Sequence, residues 1–147
     1  MQRIVVAAKA GSAQPWLAQA AAELAAQSNA VVDVVSADDV EMEAFSTVPR
    51  TAASEPAERS AEALAEQLRA EWIQAAAHTL HGPTVRSVLL FAEDRDADLI
   101  VCGASTRGAV ARRLLGDVPL QLIRRARRPV LVITPPTGRE SHGRDDA

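Results

Sequence analysis

The sequence predicts an α/β domain built on an open, mostly parallel sheet with helices on both faces. Three observations predict it. Short aliphatic runs recur at 3–8, 30–36, 98–102 and 129–133, each too short and too apolar for an amphipathic helix. Stretches with apolar residues at helical spacing lie between several of them. The 147 residues suit one domain that buries a single core. Strands alternating with helices in this way build βαβ units with right-handed crossovers.

Taken in order, RIVVAA (3–8) is the first strand and KAGSAQP the turn after it. PWLAQAAAELAAQS (15–28) places Leu17, Ala20, Ala21, Leu24 and Ala25 on one face, a small-residue stripe suited to close packing on a sheet. Asn29 ends it, and AVVDVVS (30–36) is the second strand. Residues 37–58 lack periodicity, carry Pro49 and Pro56, and read as a long polar connection. Helical spacing returns over 60–80 through Ala61, Leu64, Ala65, Leu68, Trp72, Ile73 and Ala76. His81-Gly82-Pro83 stops it. The next stretch supports either a helix over 83–94 or a strand over 84–91, and Val85, Val88, Leu89 and Ala92 favour the helix. DLIVC (98–102) is a strand, followed by a loop at 103–108 and a helix around 110–115. Asp117-Val118-Pro119 is a second helix start, with Asp117 as its cap, and PVLVI (129–133) is the last strand. The domain therefore spans 3–134, and 135–147 form a polar tail expected to be disordered.

Composition excludes several classes. Cys102 is the only cysteine, which rules out an intramolecular disulfide and a cysteine metal cluster. No apolar run approaches the ~20 residues that span a bilayer, and Lys9 interrupts the N-terminal run, so the expectation is a cytoplasmic protein without a membrane contact. The net charge of −3 is uneven: residues 107–128 hold seven arginines against Asp117, a local +6. Arg124, Arg125, Arg127 and Arg128 fall near a helix end, where cations complement the dipole, so this run is not read as a nucleic-acid contact. His78 and His81 lack a third ligand nearby, and no GxSxG appears.

On such a sheet, ligands bind at the carboxyl ends of the strands, at the loops after Ala8, Val35 and Cys102. GxxxxGK[ST] and an early GxGxxG are both absent. Gly103 follows a strand directly and Gly116 precedes a helix start, so backbone N–H groups there can face a phosphate. Ser105, Thr106 and Arg107 add donors, while Asp38 and Asp39 follow the second strand as ribose or cation candidates or as plain solvated loop residues.

The series DLIVCGAS, LLGDV and RRPVLVITP resembles the C-terminal half of the universal stress protein family, and RIVVAAKAGSAQPWLAQAAAELA resembles its first strand, loop and helix. The family's nucleotide-binding members carry glycine, two residues, glycine, nine residues, then Gly-Ser or Gly-Thr. Here Gly103 and Gly116 stand at the first and third glycine positions, Thr106 at the second, and Asp117 at the Ser/Thr position, with Gly108 displaced by two. Lys9 stands near the position where ATP-binding relatives carry an acid.

The resemblance implies an adenine-nucleotide alpha-hydrolase-like fold, trimmed here to four strands or lacking the third helix. It also implies a non-enzymatic stress-response protein acting as a homodimer through Pro129–Ile133. If ATP with Mg²⁺ binds, the phosphate side is Gly103, Ser105, Thr106, Gly108, Gly116, Asp117 and Val118, with Lys9 or Val35 nearer the base and ribose. Asp117 weighs against it, because a carboxylate ~4 Å from a phosphoryl charge costs on the order of 1–4 kcal/mol. The alternatives are an ATP-binding regulatory protein using the Gly103–Gly116 loop, or a pure interaction module.

Overall fold

The computed structural model describes residues 1–39, 50–104 and 117–136. Its strands are β1 (Arg3–Ala7), β2 (Val31–Ala37), β3 (Ala75–Leu80), β4 (Leu99–Gly103) and β5 (Val130–Ile133). Its helices are α1 (Pro15–Ser28), α2 (Arg50–Ala70), α3 (Thr84–Asp94) and α4 (Asp117–Arg125). The five strands form one sheet in the order β3-β2-β1-β4-β5, and every pairing is parallel.

Strand alternation sorts the core into two layers. Ile4, Val6, Val32, Val34, Leu99 and Val101 meet the buried stripes of α1 and α2 on one face. Val5, Val35, Ile100 and Cys102 meet Val85, Val88 and Ala92 of α3 and Leu122 of α4 on the other. Because successive side chains of a strand point to opposite faces, β1 is buried on both, and Ile4, Val5 and Val6 are wholly inaccessible. α1 starts with Pro15 in its first turn, where a missing N–H costs nothing, and ends at Asn29, whose left-handed φ of 56° closes the helix.

The structure corrects the trimmed architecture: the sheet has five strands and α3 is present as well. The missing strand lies within the 60–80 helix expected from spacing. Ala75–Leu80 is AAAHTL, a helix-favouring composition, yet each of its residues pairs in register with β2, from Val32↔Ala75 to Ala37↔Leu80. Tertiary pairing overrides local propensity there. The break comes at Trp72, which adopts φ 64° and is 96% exposed, far from the core position its spacing suggested. At its other end α2 begins inside the expected polar connection and runs through Pro56. The lost hydrogen bond is offset by a stripe of Ala57, Ala61, Leu64, Ala65 and Leu68, all buried. The helix expected around 110–115 and the tail from 137 lie outside the described residues.

One charge is buried among these aliphatic residues. Asp33, in the middle of β2, is 3% exposed. Its carboxylate pairs with Arg3 and accepts from His78 Nε2 at 2.9 Å, with the Arg95 guanidinium at 3.7 Å. Phe91 covers the group, its ring 4.9 Å from His78 and 4.7 Å from the Arg95 guanidinium carbon. Direct contact with a buried carboxylate separates Arg3 from the more distant, more exposed Arg95. Urea unfolding is expected to show Arg3→Ala costing about 1–3 kcal/mol and Arg95→Ala no more than about 1 kcal/mol. The reverse order would refute this account of the network.

Candidate functional site

The strand order reverses between β1 and β4, whose carboxyl ends lie side by side with Ala7 opposite Cys102. Chain leaving these two strands must diverge, and this opens the crevice in which folds of this type place a ligand. Its first wall is the loop from Lys9 to Gln14. Ala8 N–H donates to Val35 O at 2.8 Å, Lys9 N–H to Gln14 Oε1 at 3.0 Å, and Gly11 N–H to Ser60 Oγ of α2 at 2.9 Å. Gly11 needs its glycine for a φ of 80°.

The opposite wall starts at Gly103. A Cβ built there would lie 2.4 Å from Trp16 Cη2 and 2.9 Å from Gln14 Nε2. Real side chains do not tolerate such contacts, so this position is held as glycine by an indole. Trp16 is half-buried and packs against the α1–α2 face of the core. Sequence spacing gave it a core role, and the structure adds that its ring edge closes over the end of β4.

The remaining expected site residues divide three ways. Lys9 is exposed on the β1 loop. Val35 is fully buried among the α3–α4 face residues, so its side chain lines the core, and only its backbone carbonyl, bonded to Ala8, turns to the loop. Asp117 stands exposed in the first turn of α4, where its charge suits the positive helix end, and Val118 packs against the core behind it. Ser105, Thr106, Gly108 and Gly116 lie outside the described residues.

A cluster that sequence reasoning missed sits farther along the same carboxyl edge. Asp38 follows β2 and is 8% exposed. His81 follows β3, and the Ala37↔Leu80 register sets the two residues side by side. His81 Nδ1 lies 2.5 Å from Asp38 Oδ2, Ser54 of α2 donates its hydroxyl to the same oxygen at 2.8 Å, and Gly82 N–H donates to Oδ1 at 3.3 Å. Three donors therefore hold the Asp38 carboxylate in place. His78 and His81 face different carboxylates, Asp33 and Asp38, and make no common site. Recognising β3 in the sequence would have exposed the Asp38–His81 pair.

Burial pushes the Asp38 carboxyl up, but the hydrogen bonds from His81, Ser54 and Gly82, with the nearby His81 charge, outweigh it and hold the group below its ordinary value of 3.8.

This sheet, its order reversing between β1 and β4 and its two faces covered by helices, defines a doubly wound α/β protein. The Universal stress protein family model matches residues 1–134, and the chain belongs to that family. It is 35% identical over 72 residues to Universal stress protein MJ0531 of Methanocaldococcus jannaschii, a match spanning 48% of this chain and 42% of that one. A universal stress protein from Archaeoglobus fulgidus superposes with a TM-score of 0.76 at 23% identity, covering 90% of this chain and 98% of its own. A second structure from that organism, titled as a complex with dAMP, gives 0.70 at 23% identity with the same coverage. These likenesses establish the fold.

Two outcomes test the site. Gly103→Ala is expected to destabilise the protein by about 1–3 kcal/mol through overpacking, and by clearly less in a Trp16→Ala background. Equal costs in both backgrounds, measured by urea unfolding, would mean that the indole does not set this position. For Asp38, a lowered folded pKa means a stabilising contribution fully present above pH 3.8 and lost as pH falls through the folded value. The acid-unfolding limb of Asp38→Asn should accordingly be shallower than that of the native protein, and an unchanged limb would contradict the pairing.

Proposed function

We propose that this chain is a non-enzymatic stress-response protein that works as a homodimer and whose nucleotide crevice is closed by its own side chains. The observation that carries this reading is the packing of Trp16 and Gln14 against Gly103, the first position of the family's glycine motif. At the far end of that motif Asp117 stands where nucleotide-binding members carry serine or threonine, and its charge opposes a phosphate at the start of α4. Two losses of this kind, one steric and one electrostatic, offset the one or two charge-assisted hydrogen bonds, about 1.5–3 kcal/mol each, that a phosphate gains. Ser54 donates its hydroxyl to the Asp38 carboxylate, so the Asp38–His81 pair is anchored to α2.

Dimerisation rests on β5. Among the described residues it pairs only with β4, and Val130–Ile133 is aliphatic and half-buried throughout. The carbonyls of Pro129 and Ile133 turn toward β4, so strand alternation turns the backbone groups of Val130 and Val132 outward, ready for a second strand. A second copy offers the same aliphatic edge and closes a two-fold interface.

One finding favours a second reading, in which adenine nucleotide binds: the relative solved with dAMP shares this fold, and the Gly103 to Gly116 spacing matches the motif. Calorimetric titration with ATP and Mg²⁺ separates the two. Closure predicts no heat from the native protein at millimolar nucleotide, and saturable binding by the native protein would overturn it in favour of the second reading. In the same preparation, sedimentation should show a dimer, and Val132→Pro, which removes an outward N–H, should give a monomer of unchanged circular dichroism. A monomeric native protein would refute the β5 interface.

A further inference from the structure

The amino-end rim of the sheet, on the side opposite the crevice, carries a second concave site. A cavity of about 160 Å³ opens between the last turns of α3 and α4 and the start of β5, lined by Leu89, Glu93, Ile100, Arg125, Arg127 and Arg128. Leu89 is half-buried at its wall with Ile100 wholly buried beneath, and its rim holds three guanidinium groups against one carboxylate. Arg128 is fixed: its Nη1 donates to the carbonyls of Ala92 and Ala97, each at 2.9 Å. Those two bonds satisfy the carbonyls where α3 ends and hold the arginine at the cavity wall. The side chains of Arg125, Arg127 and Glu93 have no ion pair or hydrogen bond among the described residues.

A helix-end role accounts for Arg124 and Arg125, which lie in the last turn of α4. It does not account for Arg127, which lies beyond α4 beside the same cavity, whereas Arg128 caps the end of α3. Guanidinium groups recognise oxyanions through paired parallel N–H bonds, and they do so best over a surface that excludes water from one side. Leu89, packed over the buried Ile100, supplies that surface.

We propose that this cavity is a binding site for a small phosphate monoester, its dianionic head held by Arg125, Arg127 and the remaining donors of Arg128, its short carbon portion resting on Leu89. The volume admits an oxyanion and a few carbons, not a nucleoside. Glu93 faces the same space and offsets one of the three guanidinium charges, leaving a net +2 that matches a dianion. The site is separate from the Gly103 crevice and does not depend on how that crevice is read.

Titration at low salt, followed by backbone amide shifts, tests it with glycerol phosphate, inorganic phosphate and succinate as probes. Saturable shifts at Leu89, Ile100 and residues 125–130 are expected, with glycerol phosphate tighter than inorganic phosphate and affinity falling as salt rises. Arg125→Ala with Arg127→Ala, both exposed and outside the core, should weaken glycerol phosphate by about tenfold or more, since a single charge-assisted bond is worth about a decade. Glu93→Gln should tighten it. Shifts confined to residues 8–12 and 103–104 would place any phosphate at the other crevice and overturn the proposal. So would unsaturable shifts, an unaltered double variant, or succinate binding more tightly than glycerol phosphate.

Discussion

Everything in this molecule is hung on the double pairing of β1. One five-residue strand bonds β2 on one side and β4 on the other, both parallel, and so must be apolar on both faces. This pairing divides the chain into two halves wound in opposite directions. Helices α1 and α2 cover one face and α3 and α4 the other, and the strand order reverses at the seam between β1 and β4. The crevice is a consequence of topology before any ligand is considered.

What fills that seam is a matter of side chains. The β1 loop is tied down on both sides, to Gln14 within its own turn and to Ser60 across on α2. Trp16 then stands in the first turn of α1 with its ring over Gly103. A neighbouring cluster around Asp38 joins β2, α2 and the β3–α3 turn through a single carboxylate. Both arrangements use polar and aromatic groups to brace the described part of the carboxyl edge.

Much of this was legible in the sequence. β1, α1, β2, β4 and β5 could be read because each shows one clean period and is bounded by a turn signal. The fold family could be read from the glycine series and the strand that precedes it. β3 could not, since alanine carries no period and prefers helix, and its strand state arises only when β2 offers an edge. Pro56 misled in the opposite sense: a proline marks a break unless a buried stripe such as Ala57 to Leu68 binds the helix to the sheet. Because β3 was hidden, His81 had no neighbour, and its pairing with Asp38 was invisible as well. Spacing found Gly103, but it gave no sign that an indole was the group requiring it.

That last point reaches beyond this chain. A glycine demanded by a neighbouring ring is under the same pressure whether or not anything is bound, so it can outlive the ligand it once served. The serine or threonine at the end of the motif enjoys no such protection, because aspartate starts a helix equally well. In a lineage drifting away from nucleotide, the two ends of one signature then decay at different speeds. The packed end becomes a record of ancestry, and the exposed end a record of present use.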